Sequence, residues 1–397
     1  MKILAIETSC DETAVALLRA SGKLSSIKLK VLKSLVSSQI KIHAPFGGVV
    51  PNLAKREHLK NLPILLSKIL NTKYHAYRQA GGIRNVDLIA VTVGPGLEPA
   101  LWVGIEFAKR LAKKWKKPLI GVNHLHGHLY SFLLSQKTVS TKFQAPKSKK
   151  PGIRHTVYGI RNPFPAIGLI VSGGHTILVL MKNLKEYKKL GETLDDAVGE
   201  SFDKVARLLG LPYPGGPEIE KLAKRGDPTA IDFPSPMIYQ KNYNFSYSGL
   251  KTAVLYYLRE HNAKQQIPHA NDAKKNPWSV GNILRDSHNQ FVGSHYTLSD
   301  VAASFQKAAF LPLVTKAVRA AKEYRAKSVM IGGGVAANKT LARMLSLEIR
   351  NLKLGINLVV PPLKYCLDNA VMIAAAAYVN ELRNKRYRLE ANGNLNL

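Results

Sequence analysis

The stretch GVNHLHGHLYSFLL, residues 121–134, sets three histidines within five positions at the head of an apolar run. Asn123 is suited to cap a helix that buries Leu125, Leu129, Phe132 and Leu133. On that helix His124 and His128 stand one turn apart on one side, while His126 points nearly the opposite way and is expected to be dispensable. Two imidazoles at i and i+4 can chelate one divalent cation, but they supply half of what a tetrahedral site needs. Without a further ligand they read as polar residues flanking a buried stripe. The candidate oxygen is Asp368, in YCLDNAVMIAAAAYVNEL, which opens a helix either as its cap or as the missing ligand.

Four other stretches place polar groups where backbone can approach a ligand. In VSGGHT, Gly173 and Gly174 admit a close neighbour while Ser172, His175 and Thr176 offer donors, a combination suited to phosphate. The turn in ETSCDET carries Glu7, Asp11 and Glu12, which would repel a bare phosphate and instead hold a cation or water beside it. IGGGVAANKTLARML puts three glycines after a strand and Asn338 at a helix start, where it either contacts a nucleoside or serves as a plain N-cap. DDAVGESFDKVARLLGLPYPGGPEIE spaces Asp196, Glu200 and Asp203 on one helix and follows them with a tight turn and Glu220. A solvated acidic face is the ordinary reading there, and acceptance of ribose hydroxyls is the functional one.

The elements that must position these groups repeat. KILAIETSCDETAVALL reads as strand, polar turn, strand, and AIGLIVSGGHTILVLM, residues 166–181, follows the same plan. Each hairpin opens one half of the chain and is followed by amphipathic helices and short β runs such as DLIAVTVGPG and KSVMIGGGV, so two similar α/β domains facing a cleft are expected. The expected division is residues 1–135, a basic linker 136–162, and 163–397, with an insertion near 261–297 and the last helix, from about 368, packing back on the first domain. The tail after Asn384 reads as frayed.

Composition bounds the rest. Length and an apolar content of 46% suit two folded domains with cores of their own. No run of eighteen apolar residues and no secretory leader is present, so a cytoplasmic protein with no membrane contact is expected. Cys10 and Cys366 are too few for a disulfide framework or a CxxC metal site. The formal net charge of +32 points to a polyanionic partner, the alternative being a generally basic proteome in which every protein carries such an excess. Seven lysines and arginines between Lys137 and Arg161, with no acid among them, read either as a solvated loop or as a basic loop that would meet phosphate rather than read sequence.

Taken in order, ETSCDETAVAL, GPGL, NHLHGHL, VSGGHT, DDAVGESFDKVARLLGLPYPGGP, FSYSGLKTAV, DVAASFQ, GGGVAAN and YCLDNAVMIA strongly resemble the tRNA adenosine threonylcarbamoyltransferase (TsaD) family across nearly the whole chain. The resemblance implies two actin-like (ASKHA, RNase H-like) domains around a nucleotide-binding cleft. It implies an enzyme that moves a threonylcarbamoyl group from threonylcarbamoyl-adenylate onto the exocyclic amine of the adenosine beside the tRNA anticodon, releasing AMP. It places metal ligands on His124, His128 and Asp368, for one divalent ion, with iron favoured and zinc the alternative. Substrate contacts fall on Val171, Ser172, Gly173, Gly174, His175, Asp203, Gly216, Glu220 and Asn338. Asp11 and Glu12 are the candidates for orienting the amine or a metal-bound water. A paralogous partner subunit and a small ATPase are the implied protein partners, beside tRNA.

The sequence departs from the family pattern at Asn52, where glutamate is typical, and at Glu98-Pro99, where small or apolar residues are usual. A zinc protease lacks support because HLHGH has no glutamate beside its first histidine. A small-molecule kinase or ATPase of the same fold, and a non-catalytic scaffold subunit, are the remaining alternatives.

Overall fold

A computed structural model describes residues 1–70, 86–135, 162–263, 291–292 and 296–397. The basic run between Lys137 and Arg161 and most of the 261–297 insertion lie outside the described residues.

The first sheet is built from β1 (Lys2–Glu7), β2 (Glu12–Ser21), β3 (Lys28–Ser38), β4 (Leu88–Gly94) and β5 (Leu119–Asn123), in the order β3-β2-β1-β4-β5. β1, β2 and β3 are antiparallel neighbours, whereas β4 and β5 run parallel to β1. The second sheet uses β6 (Ala166–Val171), β7 (Thr176–Met181), β8 (Tyr187–Glu192), β11 (Ser328–Gly332) and β12 (Asn357–Val359), in the order β12-β11-β6-β7-β8. A two-residue pair, β9 (Phe291–Val292) with β10 (Tyr296–Thr297), stands apart from both. Antiparallel β6, β7 and β8 and parallel β11 and β12 reproduce the connectivity of the first sheet. The repeat seen in the two hairpin sequences is therefore a repeat of whole sheets.

Near-continuous apolar runs such as KILAIE and AIGLIV arise because both faces of these strands are covered. On the outer face of the first sheet, helices Pro51–Leu70 and Glu98–Trp115 bury Leu62, Ile69, Leu101 and Ile105 against Leu4, Ile6, Val15 and Ile89. Five helices, from Val198–Leu208 to Lys339–Asn351, do the same for the second sheet around Phe202, Phe305 and Phe310.

A third core lies between the sheets, made by two central helices, His124–Tyr130 and Ala370–Leu382. Every residue from Ala370 to Asn380 is buried, as expected of a helix that is apolar all round. Val371, Met372 and Ile373 share this core with Ile3, Ala5 and Ala16 of the first sheet and Ile170, Ile177 and Val179 of the second. Gly127 permits the approach of the two helices, since a Cβ there would sit 2.9 Å from Met372 Cγ.

The tail is not frayed. Tyr387, Leu389, Ala391 and Leu395 pack on the outer core of the first sheet, and the Asn392 amide donates to the Val93 carbonyl at 2.9 Å. Half-buried apolar side chains and backbone pairing hold a segment that composition alone reads as frayed. No helix among the described residues is long and apolar enough to cross a membrane.

Candidate metal and substrate site

Asn123 ends β5 and caps the next helix: its side-chain oxygen accepts from the amides of Leu125 and His126 at 2.8 and 3.2 Å. That cap sets the rotation of His124 and His128, whose ring centroids lie 4.6 Å apart with planes at 88°. Asp368 arrives from the loop before the last helix. Asn369, not Asp368, caps that helix, accepting from the Met372 amide at 3.0 Å, so the Asp368 carboxylate is left for other work. Its Oδ1 lies 3.5 Å from His124 Nε2 and 3.1 Å from His128 Nε2.

One donor atom from each of His124, His128 and Asp368 falls within 4.8 Å of the others, a spread one cation can draw together. Both ring nitrogens of His128 are buried, Nδ1 with no partner and Nε2 facing only the Asp368 carboxylate. A buried imidazole so sparsely partnered is what a metal ligand looks like, and the two-imidazole, one-carboxylate set suits iron or zinc. Burial opposes charge on Asp368, yet the facing His124 and His128 hold its carboxyl well below the usual carboxylate range. Burial likewise opposes charge on His124, but the Asp368 and Glu7 carboxylates prevail and push it up to about 9. Burial holds His128 below its ordinary value.

The structure also brings Glu7 against His124, a pairing that spacing did not single out. It ends β1 with no solvent exposure, accepts from the Ser9 amide at 2.5 Å and from the Thr92 hydroxyl at 2.6 Å, and faces His124 Nδ1 at 3.1 Å. The Ser9 hydroxyl lies at the same distance from that nitrogen. A carboxylate closing an otherwise apolar strand was the available signal.

His126 departs from expectation. It is fully buried, with Nε2 bonded to the Tyr187 hydroxyl at 2.5 Å and Nδ1 to the Tyr387 hydroxyl at 2.9 Å. It does face away from the other two rings, into a polar seam between β8 and the tail.

The other residues singled out in the sequence fall as follows. Val171 ends β6, buried, and Ser172 closes the hairpin, its Oγ accepting from the His175 amide at 3.1 Å. Gly173 and Gly174 are exposed, and a Cβ at either would meet nothing within 4 Å, so the turn offers open space to a ligand. His175 lies close enough to His124 and His128 that burial and those two rings push it down to about 4. On the other side, burial and the adjoining Asp11 carboxylate push Glu12 up to about 10.

Asp11 also acts electrostatically on Asp203 and Tyr213, which puts the first hairpin turn beside the YPGGP turn of the second domain. Asp203 accepts from the Gly215 amide at 2.7 Å, and Gly216 borders open space. Glu220 accepts from the Lys339 amide at 3.1 Å. Asn338 caps the helix that follows, through Oδ1, and gives its Nδ2 to Gln306 at 2.9 Å, leaving one amide hydrogen for anything else. Asp196, which precedes the helix Val198–Leu208, and Glu200 in its first turn both pair with Lys204, at 2.6 and 3.0 Å.

Two sheets of matching connectivity, with a histidine-carboxylate trio and facing turns between them, define an α/β protein of the actin-like (ASKHA) class. A solved structure of HypF from T. kodakarensis has this fold, with a TM-score of 0.52 and 14% identity over 96% of this chain and 48% of that one. A profile described as TsaD, tRNA N6-adenosine threonylcarbamoyltransferase, matches residues 30–146 and 153–375. Enzymes of that name from Thermosipho melanesiensis and Bacillus subtilis are 44% and 41% identical, over 100% and 99% of this chain and 100% and 94% of their own lengths. The chain belongs to the tRNA N6-adenosine threonylcarbamoyltransferase family and is a transferase.

Proposed function

We propose that this chain moves the threonylcarbamoyl group of threonylcarbamoyl-adenylate to the exocyclic amine of the adenosine beside the tRNA anticodon, releasing AMP. The observation that carries this reading is the convergence of His124, His128 and Asp368 between the Gly173–Gly174 turn and the Asp11–Glu12 turn.

An exocyclic adenine amine is a weak nucleophile, so rate must come from an activated acyl phosphate, from positioning, and from control of the charge that builds on the leaving phosphate. A divalent cation held by His124, His128 and Asp368, iron or alternatively zinc, supplies Lewis acidity there. Gly173 and Gly174 let phosphate oxygens reach backbone amides, and His175, neutral at ordinary pH, donates without adding charge. Asp203, Gly216, Glu220 and Asn338 border the nucleoside. Asp11 accepts a hydrogen bond from the attacking amine and takes its proton. Glu12, which keeps its own proton at neutral pH, donates to the carbonyl oxygen. The amine nitrogen bonds to the carbonyl carbon, the carbon–oxygen bond to phosphate breaks, and AMP leaves with the electron pair.

The charge of +32 supports a tRNA partner. The same reading includes a paralogous partner subunit and a small ATPase. Its test is incubation with threonylcarbamoyl-adenylate and unmodified tRNA, followed by mass spectrometry of the nucleosides. Threonylcarbamoyladenosine should form with this chain and not with Asp368→Ala. Equal yields from both would sink the assignment.

A further inference from the structure

We propose that the segment Tyr387–Leu397 is a positioning strap for the helix that carries His124 and His128. The inference rests on the metal reading of those residues. The helix His124–Tyr130 has seven residues, too few to hold its own geometry, so its alignment depends on what grips it.

The strap grips it at two points, its N-cap and its first turn. At the capping residue, Asn123 Nδ2 donates to the Asn396 carbonyl at 2.8 Å while the other end of the same side chain caps Leu125 and His126. On the face away from the metal ligands, the Tyr387 hydroxyl bonds His126 Nδ1 at 2.9 Å. Between these points the strap is pinned to the GPGLE loop. The Gly96 amide donates to the Gly393 carbonyl, and the Gly393 amide donates to Glu98 Oε1, each at 3.3 Å. The Leu97 amide in turn donates to the Ser9 carbonyl at 2.8 Å, and Ser9 is the residue whose hydroxyl faces His124 Nδ1. Glu98, one of the departures from the family pattern, thus has a partner in the strap. The strap lies beyond residue 375, where the family match ends, and is anchored independently by Tyr387, Leu389, Ala391 and Leu395 on the first sheet.

The test compares the full chain, a chain ending at Ala391, and full-length Tyr387→Phe. Amide hydrogen exchange of Leu125 and His126 reads the cap, and zinc titration against a chromophoric chelator reads the ligands. Ending the chain at Ala391 should raise exchange at Leu125 and His126 and weaken zinc binding, each about tenfold, with Tyr387→Phe showing a smaller shift in the same direction. Amides of β6 and of helix Leu298–Glu323 should keep their protection. Unchanged exchange at Leu125 and His126, or a loss spread evenly over all amides, would overturn the strap. If the full chain takes up no zinc, the metal reading fails, and exchange at those two amides alone decides the strap.

Discussion

Glu7 Oε2 and His124 Nδ1 lie 3.1 Å apart at the buried end of β1, and this contact fixes which imidazole nitrogen faces the Asp368 side. A carboxylate only accepts, so a proton sits on Nδ1, and Nε2 is the nitrogen left to bind a cation once its own proton leaves. Glu7→Gln leaves one acceptor oxygen for three facing groups, the Ser9 amide, the Thr92 hydroxyl and His124 Nδ1, and removes the charge that holds the proton on Nδ1. Metal affinity, measured by chelator competition, should fall about tenfold or more while the fold survives. An affinity equal to that of the unaltered chain would show that Glu7 does not orient the ring.

Replacing His124 or Asp368 by alanine should remove bound metal and most transfer activity, whereas His126→Ala should keep metal stoichiometry and lose stability instead. His126 fills buried space and satisfies two tyrosine hydroxyls, so its removal should cost roughly 2–4 kcal/mol in urea unfolding. Loss of metal from His126→Ala in a chain that stays folded would contradict this division of labour.

His58 predicts a pH dependence. It is buried beneath the first hairpin turn, with Nε2 facing the Cys10 carbonyl at 2.9 Å and Nδ1 the Thr13 hydroxyl at 2.8 Å, so it is neutral with its proton on Nε2. Burial lowers its folded pKa, the Cys10 carbonyl opposing. Between that lowered value and about 6.5 the unfolded chain binds a proton that the folded chain does not, so stability rises with pH across this window. The contribution is complete above about pH 6.5 and is lost as pH falls toward the folded value. Urea unfolding free energies of His58→Gln should therefore vary less steeply over this range than those of the original chain, and parallel curves would refute the assignment.

Gly173 and Gly174 separate ligand space from fold space. A Cβ at Gly174 meets nothing in the protein, so Gly174→Val should leave the melting temperature unchanged yet weaken binding of an adenylate analogue about tenfold, equivalent to roughly 1.4 kcal/mol. Asn338→Ala should weaken binding of the analogue too, but it should also cost about 1 kcal/mol of stability through the lost cap. Calorimetry that finds Gly174→Val binding normally would remove this turn from the site.

The strands were legible because their apolar runs are local, and the doubled hairpin was legible because two such runs share one plan. Asn123 as cap, and His124 and His128 on one side, follow from helix periodicity alone. What periodicity cannot report is what lies opposite. His126 sits on the far side of the same helix, and whether that side meets water or two tyrosines depends on β8 and the tail, distant in sequence.

The same limit separates what the amino-acid order determined by itself from what tertiary structure decided. Residue types and spacing determined the two α/β halves, the glycine turns and the histidine pair, since these depend on backbone preferences and side-chain period over a few residues. Packing of the two central helices through Gly127 decided that Asp368 reaches His124 and His128, and packing of β1 against β4 decided that Glu7 meets Thr92 and His124. Packing of Tyr387 and Leu395 on the first sheet ordered a tail whose composition reads as loose. Each of these contacts joins segments far apart along the chain, and their free energy comes from burial that exists only once the three cores have formed.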